Sequence, residues 1–377
     1  MNKKKIRVGI VGLGNCASSL IQGLEFYKNR KVDGLMSPDI GGYSPKDIEV
    51  VLAFDVDERK VGMEIGSAIY ANPNCAMEIV PSVNNTSMVY MGRVLDGVAN
   101  HMLEYPYDES FRPSLDHNEP EQTDVVDLLA ESDVDMLINY LPVGSQKATE
   151  FYATCCLRAR VAFLNCIPVF IASNPTWEKK FIDAGLPLIG DDMKSQFGAS
   201  IVSQMLQELA FSRGHKVKCH IQQNVGGNTD FLNMVDKDRL KSKKISKENV
   251  IRSQNDIHGV DPKDSFLFAG PSDYISYYGD NKIATFRLEM EGFGGAKVLL
   301  DAKLSVQDSP NSAGVVIDAI RYLKVASELG IVGSLRGPSA FTQKTPPLQM
   351  TFADSKFECD ELAARRLTHI TVKQIKR

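Results

Sequence analysis

Ile6-Arg7-Val8-Gly9-Ile10-Val11-Gly12-Leu13-Gly14-Asn15-Cys16-Ala17 is the stretch that decides the fold. Its first half is a short, β-branched apolar run that reads as a buried strand. Glycines break the run, and a helix is predicted from Asn15 to about Tyr27. Strand, glycine turn and helix in that order give the GxGxxA form of a dinucleotide-binding turn. Gly12 permits the tight turn, Gly14 lets the backbone approach a pyrophosphate, and the small Ala17 lets the helix pack on the strand. The flanking strand and helix favour cofactor binding through residues 12–17, Asn15 and Cys16 included, over a purely structural turn.

Outward from this turn, a strand over residues 49–54 ends at Asp55, whose carboxylate is placed to accept the adenine ribose hydroxyls. Asp57 competes for that role. The spacing from the glycines exceeds the usual ~20 residues, and a Gly/Pro/Asp-rich stretch over residues 32–47, read as a surface insertion, explains the distance. Strand-like runs at 134–141, 161–166 and 186–189 alternate with helix-like segments at 145–160 and 174–184, which predicts a parallel, doubly wound sheet. Asn139, Tyr140, Leu141 and Pro142 end a central strand, where such a sheet binds its ligand, so they are expected near the nicotinamide. A plain strand-ending turn fits the same spacing.

The pattern changes after residue 195. A helix-like run at 198–211 leads to longer alternating segments at 216–225, 283–291 and 297–306, which predict an open sheet covered on one face. An amphipathic run at 313–329 is read as a helix. The expected fold class is therefore α/β: a Rossmann-type doubly wound domain over residues 1–195, with a return of roughly 306–377, and a second α+β domain over 196–305.

The 377 residues exceed one ordinary core. The balance of 43 Lys+Arg against 47 Asp+Glu excludes a general polyanion-binding surface, so no nucleic-acid partner is expected. Seven cysteines without a CxxC spacing fit neither a disulfide framework nor a thiolate zinc site, and point to a reducing, cytoplasmic compartment. The six histidines show no ligand spacing. No apolar run approaches the ~20 residues needed to span a bilayer, and no membrane partner is expected.

Three polar stretches carry candidate chemistry. Gly190-Asp191-Asp192-Met193-Lys194-Ser195-Gln196 lies between a strand and a helix, where carboxylates, an ammonium and helix-start amides could hold a metal, a hydroxylated substrate or a phosphate, or merely cap the helix. Asn224 to Asp230 sets two amides and a carboxylate around a Gly-Gly turn, which suits sugar hydroxyls as well as a structural turn. Lys237, Arg239, Lys241, Lys243, Lys244 and Lys247 form a charge run that reads first as a solvated face. On a helix, however, Lys243 and Lys247 share one side and could aim two ammonium groups at one anion. Clustered lysines also depress one another's pKa, which makes one of them a usable proton carrier.

The strings GLGNCAS, YLPVGS, FLNCIPVFIAS, GDDMKSQFGAS, QQNVGGNTDFLNM, KSKKISKENV and DSPNSAGVVIDAIR, in that order over nearly the whole chain, resemble the bacterial form of inositol-3-phosphate synthase, also called myo-inositol-1-phosphate synthase. The resemblance implies an isomerase that converts D-glucose 6-phosphate into 1D-myo-inositol 3-phosphate with tightly held NAD, and a homotetramer whose second domain, here 196–305, serves catalysis and tetramerisation. It implies active-site lysines at Lys243 and Lys247, with Lys282 and Lys344 as two others. It further associates Asp192, Asp230 and Asp308 with the cofactor, a monovalent or divalent cation, or the lysine network; Asp191 is grouped with the cofactor. Lys194, Ser195, Gln196, Asn224 and Asn228 are then expected to hold the substrate. The ligands of any metal are left unassigned. The first-domain motifs by themselves also fit a net oxidoreductase acting on a sugar or amino acid, or a non-catalytic dinucleotide sensor.

Overall fold

A computed structural model describes residues 5–367, except for the side chains of residues 237, 240–243, 262, 271 and 272. The chain opens with Ile6–Val11 (β1), Asn15–Tyr27 (α1), Ile48–Asp55 (β2), Ile65–Ala68 (α2) and Val89–Met91 (β3). Gln122–Glu131 (α3), Met136–Asn139 (β4), Gln146–Ala159 (α4), Ala162–Asn165 (β5), Pro175–Asp183 (α5) and Pro187–Ile189 (β6) follow. A second group comprises Ala199–Ser212 (α6), Lys216–Gly226 (β7), Thr229–Asn233 (α7), Lys237–Ile257 (α8), Phe266–Tyr274 (β8), Asn281–Glu291 (β9) and Lys297–Gln307 (β10). Asp308–Glu328 (α9), Gly333–Ser334 (β11), Arg336–Thr342 (α10) and Phe352–Ala363 (α11) complete the described chain.

The first sheet has the order β11-β6-β5-β4-β1-β2-β3, and every pairing in it is parallel. Its inner strands are buried on both faces, which is why they read as unbroken apolar runs. Leu20 of α1 and Val316, Ile320 and Leu323 of α9 pack on one face against Val8 and Ile10. Val125 of α3, Tyr152 of α4 and Phe181 of α5 pack on the other against Leu52, Leu137 and Phe163. The fold is thus the doubly wound α/β class, with strand order reversing between β1 and β4.

The second sheet, β10-β9-β7-β8, is mixed: β7 pairs parallel with β8, and the other neighbours are antiparallel. Ala199, Val202 and Leu206 of α6 cover one face against Ala284, Phe286 and Leu288. Alternate residues Thr285, Arg287 and Glu289 of β9 stay exposed on the other.

Two expectations are refined. The stretch at 32–47 is irregular and lies largely at the surface, but it is anchored, because Ile40, Tyr43 and Pro45 are buried. The fully buried Arg321 of α9 donates to the carbonyls of Ser37 at 2.8 Å and of Pro38 and Tyr43 at 3.2 Å, and pairs with Asp318. Gly/Pro composition reports irregular backbone, and a cation from far along the chain satisfies its buried carbonyls. The helix expected from residue 313 begins at Asp308, since Pro310 in its first turn lacks only an N–H that would have had no intrahelical partner.

Candidate active site

The carboxyl ends of β1, β2 and β4 open into one cleft, closed opposite by residues of β7, α7, α8, β9 and α9. Gly12 adopts φ +88, and a Cβ there would stand 2.6 Å from the Tyr140 carbonyl oxygen, so only glycine lets the β1 turn meet the loop after β4. Gly14 differs: its φ of −86 is ordinary, and a Cβ there would meet no protein atom within 4 Å. The start of α1 has no side-chain cap hydrogen bond and no acidic residue in its first turn. Its amide donors and positive dipole end therefore suit an anion lying over Gly14. Asn15 is held on both sides, accepting from the Cys75 amide at 2.7 Å and donating to Thr229 at 3.3 Å.

Asp55 braces this turn. One carboxylate oxygen accepts from the Leu13 amide at 2.6 Å and the other from the amides of Val56 and Asp57 at 2.7 and 2.8 Å, while the residue still lines the cleft. Asp57, the competing ribose ligand, is fully buried instead against Arg59 at 2.6 Å and the Arg112 amide at 3.0 Å. Lys60 had no sequence signal at the end of the charged run 57–60, yet it lines the cleft and donates to the Leu13 carbonyl and to Asn74 at 2.8 Å each. Burial lowers its pKa below the ordinary lysine value.

The far end of the cleft is polar. Lys344 pairs with Asp192 at 2.8 Å, and Lys282 pairs with Asp308. Lys247 lines the same space and is only 8% exposed. Chain return makes the first pair. Residues 342–345 run beside 191–194, with the Lys194 amide on the Thr342 carbonyl at 2.8 Å and the Lys344 amide on the Asp192 carbonyl at 2.7 Å. Asp192 sits at φ +62, a left-handed conformation that aspartate tolerates better than most residues.

Asn228 caps α7 through the Asp230 and Phe231 amides and donates to Asp280 at 3.2 Å. Asp280 takes the Ser309 amide and hydroxyl at 3.0 and 2.6 Å, so it fastens the Gly-Gly turn to the start of α9. Burial, reinforced by the charge of Asp308, pushes its carboxyl up to about 6. Gly12, Gly14, Asn15, Cys16, Ala17, Tyr140, Leu141, Pro142, Ser195, Asn224, Asn228 and Asp230 all border the cleft, as do Gln222, Ser309 and Ser312, which the sequence did not single out. The Lys243 side chain lies outside the described residues.

Four expected site residues turn elsewhere. Asn139 is fully buried and spends its amide on Thr149 and Asn165, at 3.1 and 2.8 Å. Asp191 accepts from the amides of Ile171, Ala172 and Ser173 and from the Ser173 hydroxyl, holding the loop after β5; burial outweighs these donors and raises its carboxyl to about 6. Lys194 donates to the Ala340 carbonyl at 2.7 Å, and burial lowers its pKa to about 8. Gln196 donates to the Gly34 carbonyl at 2.9 Å in a separate groove beside α1. Among the described residues, no group of three or more His, Cys, Asp or Glu is arranged to hold a metal ion, and no helix is long and apolar enough to cross a membrane.

Comparison with known proteins agrees with this architecture. The family profile of myo-inositol-1-phosphate synthase matches residues 198–309. An inositol-3-phosphate synthase from Mycolicibacterium smegmatis is 44% identical over 92% of this chain and 94% of its own. Another, from Corynebacterium glutamicum, is 43% identical over 97% of this chain and 98% of its own. The crystal structure of a myo-inositol-1-phosphate synthase-related protein from Thermotoga maritima shares the fold with a TM-score of 0.77 at 24% identity, covering 96% of this chain and 98% of that one. With relatives of this identity over nearly its full length, the chain belongs to the inositol-3-phosphate synthase family of inositol biosynthesis.

Proposed function

We propose that the chain converts D-glucose 6-phosphate into 1D-myo-inositol 3-phosphate with a tightly held NAD and no net redox change. The supporting observation is one cleft that joins the open Gly14 helix start to Lys247 and the ion pairs Lys282–Asp308 and Lys344–Asp192. The Gly14 end fits a dinucleotide, because the space a Cβ would fill lies against an uncapped helix start, with Asp55 at the adjacent strand end. Bound NAD supplies the hydride acceptor at C5 of the sugar and, once reduced, the donor that restores a hydroxyl there.

The chain's own residues serve the steps between. Loss of a C6 proton and closure of the enol on the C1 aldehyde both build negative charge on oxygen, which buried ammonium groups stabilise and protonate. Asp308 and Asp192 hold Lys282 and Lys344 in place and can carry a proton for them. Ser195, Asn224 and Asn228 offer hydroxyl and amide groups to the phosphate and sugar hydroxyls. Lys243 stands one turn before Lys247 on α8 and shares its side of the helix. The exposed face of the second sheet, with Phe266 60% and Leu299 54% exposed, supplies the assembly surface for a homotetramer.

Incubation of the purified protein with glucose 6-phosphate and NAD+, followed by phosphorus NMR, tests this function. Inositol phosphate formed without accumulating NADH is expected. NADH accumulating with an oxidised, uncyclised sugar phosphate overturns it.

A further inference from the structure

Arg239 belongs to the charge run that reads as a solvated face, yet its guanidinium ties together three segments. It stands in the first turn of α8, the helix that carries Lys247. Nη1 donates to the Val143 carbonyl at 2.9 Å and to the Asn233 side-chain oxygen at 3.2 Å, and Nη2 donates to the Asp96 carbonyl. Asn233, fully buried at the end of α7, donates to the same Val143 carbonyl at 2.7 Å. The helix backbone itself comes close. Gly144 adopts φ +92, and a Cβ there would stand 2.7 Å from Arg239 Cγ and 3.3 Å from its Cα. Asp96 closes the arrangement, because its carboxylate accepts from the amides of Lys147 and Ala148, at 2.8 and 3.0 Å, at the start of α4.

We propose, on the reading that this cleft converts glucose 6-phosphate, that Arg239 is a positioning residue: it fastens α8 to the loop after β4 and thereby fixes where Lys247 stands at the polar end of the cleft. Residues 239, 243 and 247 follow the i+4 ridge of the helix, and eight residues span about 12 Å along its axis. Among the described residues, the apolar cluster beside this joint is small, with Val143, Phe231 and Met234 as its buried members. The planar guanidinium spreads its donors over carbonyls on separate segments, a geometry that the compact ammonium of lysine does not reproduce. Displacement of a catalytic amine by about 1 Å is enough to cost on the order of 100-fold in rate.

The test compares wild type, Arg239→Lys and Arg239→Ala as purified holoenzymes. For both variants kcat is expected to fall by roughly 10–100-fold, less for lysine, with KM for glucose 6-phosphate within about threefold and NAD content unchanged. Mass spectrometry of reductive methylation supplies a positional readout that needs no turnover. Local opening at the joint should speed labelling of Lys247 by about tenfold in Arg239→Ala while Lys282 and Lys344 label as in wild type. Unchanged Lys247 labelling, or faster labelling of all three lysines together, overturns the positioning role, as does a wild-type kcat in Arg239→Ala. If wild type itself makes no inositol phosphate, the proposed reaction falls, and the labelling pattern still decides whether Arg239 positions Lys247.

Discussion

The two glycines of the opening turn should fail in different ways when replaced. Gly14→Val places its side chain where no protein atom lies within 4 Å and asks for ordinary φ, so its effect on the stability of the cofactor-free protein should stay within about 0.5 kcal/mol. The methyls instead occupy the space over the helix start. Losing two charge-assisted hydrogen bonds there, at about 1.5–3 kcal/mol each, weakens cofactor binding at least ~100-fold. Gly12→Ala meets the Tyr140 carbonyl oxygen at 2.6 Å and the Leu141 nitrogen at 3.1 Å, backbone atoms that cannot swing aside, and holds alanine at φ +88. The conformational cost of about 1–2 kcal/mol and the overpacking cost of about 1–3 kcal/mol together give about 2–5 kcal/mol. NAD released by acid and quantified per chain, with calorimetry on cofactor-stripped protein, reads both effects. Wild-type NAD content in Gly14→Val, or a wild-type melting temperature in stripped Gly12→Ala, refutes this reasoning.

Three further outcomes are expected. Lys344→Met removes the ammonium that stands 2.8 Å from the carboxylate of Asp192, which is 1% exposed, and should cost about 3 kcal/mol in denaturant unfolding, part of which Asp192→Asn in the same chain restores; no loss in the single variant counts against a buried pair. Lys194 has its folded pKa lowered to about 8, so the unfolded chain binds more protons between pH 8 and the ordinary lysine value of 10.5, and this group's contribution to stability rises with pH over that window. Relative to Lys194→Met, wild type should gain up to about 3 kcal/mol across it, and parallel pH curves for the two proteins contradict the burial effect. Lys247→Ala should keep its NAD but lose ~100-fold or more in inositol phosphate formation; near-normal product rules out a catalytic role.

What the sequence revealed was local. The β1 turn was legible because strand, glycines and helix lie within a dozen residues. Edge strand β8 was missed because Gly270-Pro271 reads as a turn, although proline is tolerated where a strand has a free edge. Helix α8 lacks an apolar stripe; its buried side is largely polar, with Ser246, Ser253, Gln254 and Asn255, so periodicity could not distinguish solvated from buried positions. Adjacent aspartates gave no sign that Asp191 turns inward to a loop while Asp192 meets a lysine 152 residues away. A still greater separation, 278 to 284 residues, hid the Arg321 clasp on Ser37, Pro38 and Tyr43.

Glucose 6-phosphate deuterated at C5 tests the central claim most directly, because a hydride taken to a tightly held cofactor and returned in the same turnover leaves its label behind. Incubated with the holoenzyme and a pool of unlabelled NAD+, the labelled sugar phosphate should give inositol phosphate that retains the deuterium on the corresponding ring carbon, with no deuterated NADH in solution. Deuterium appearing in free NADH, with no cyclised product, would contradict a cyclising isomerase and establish a net dehydrogenase.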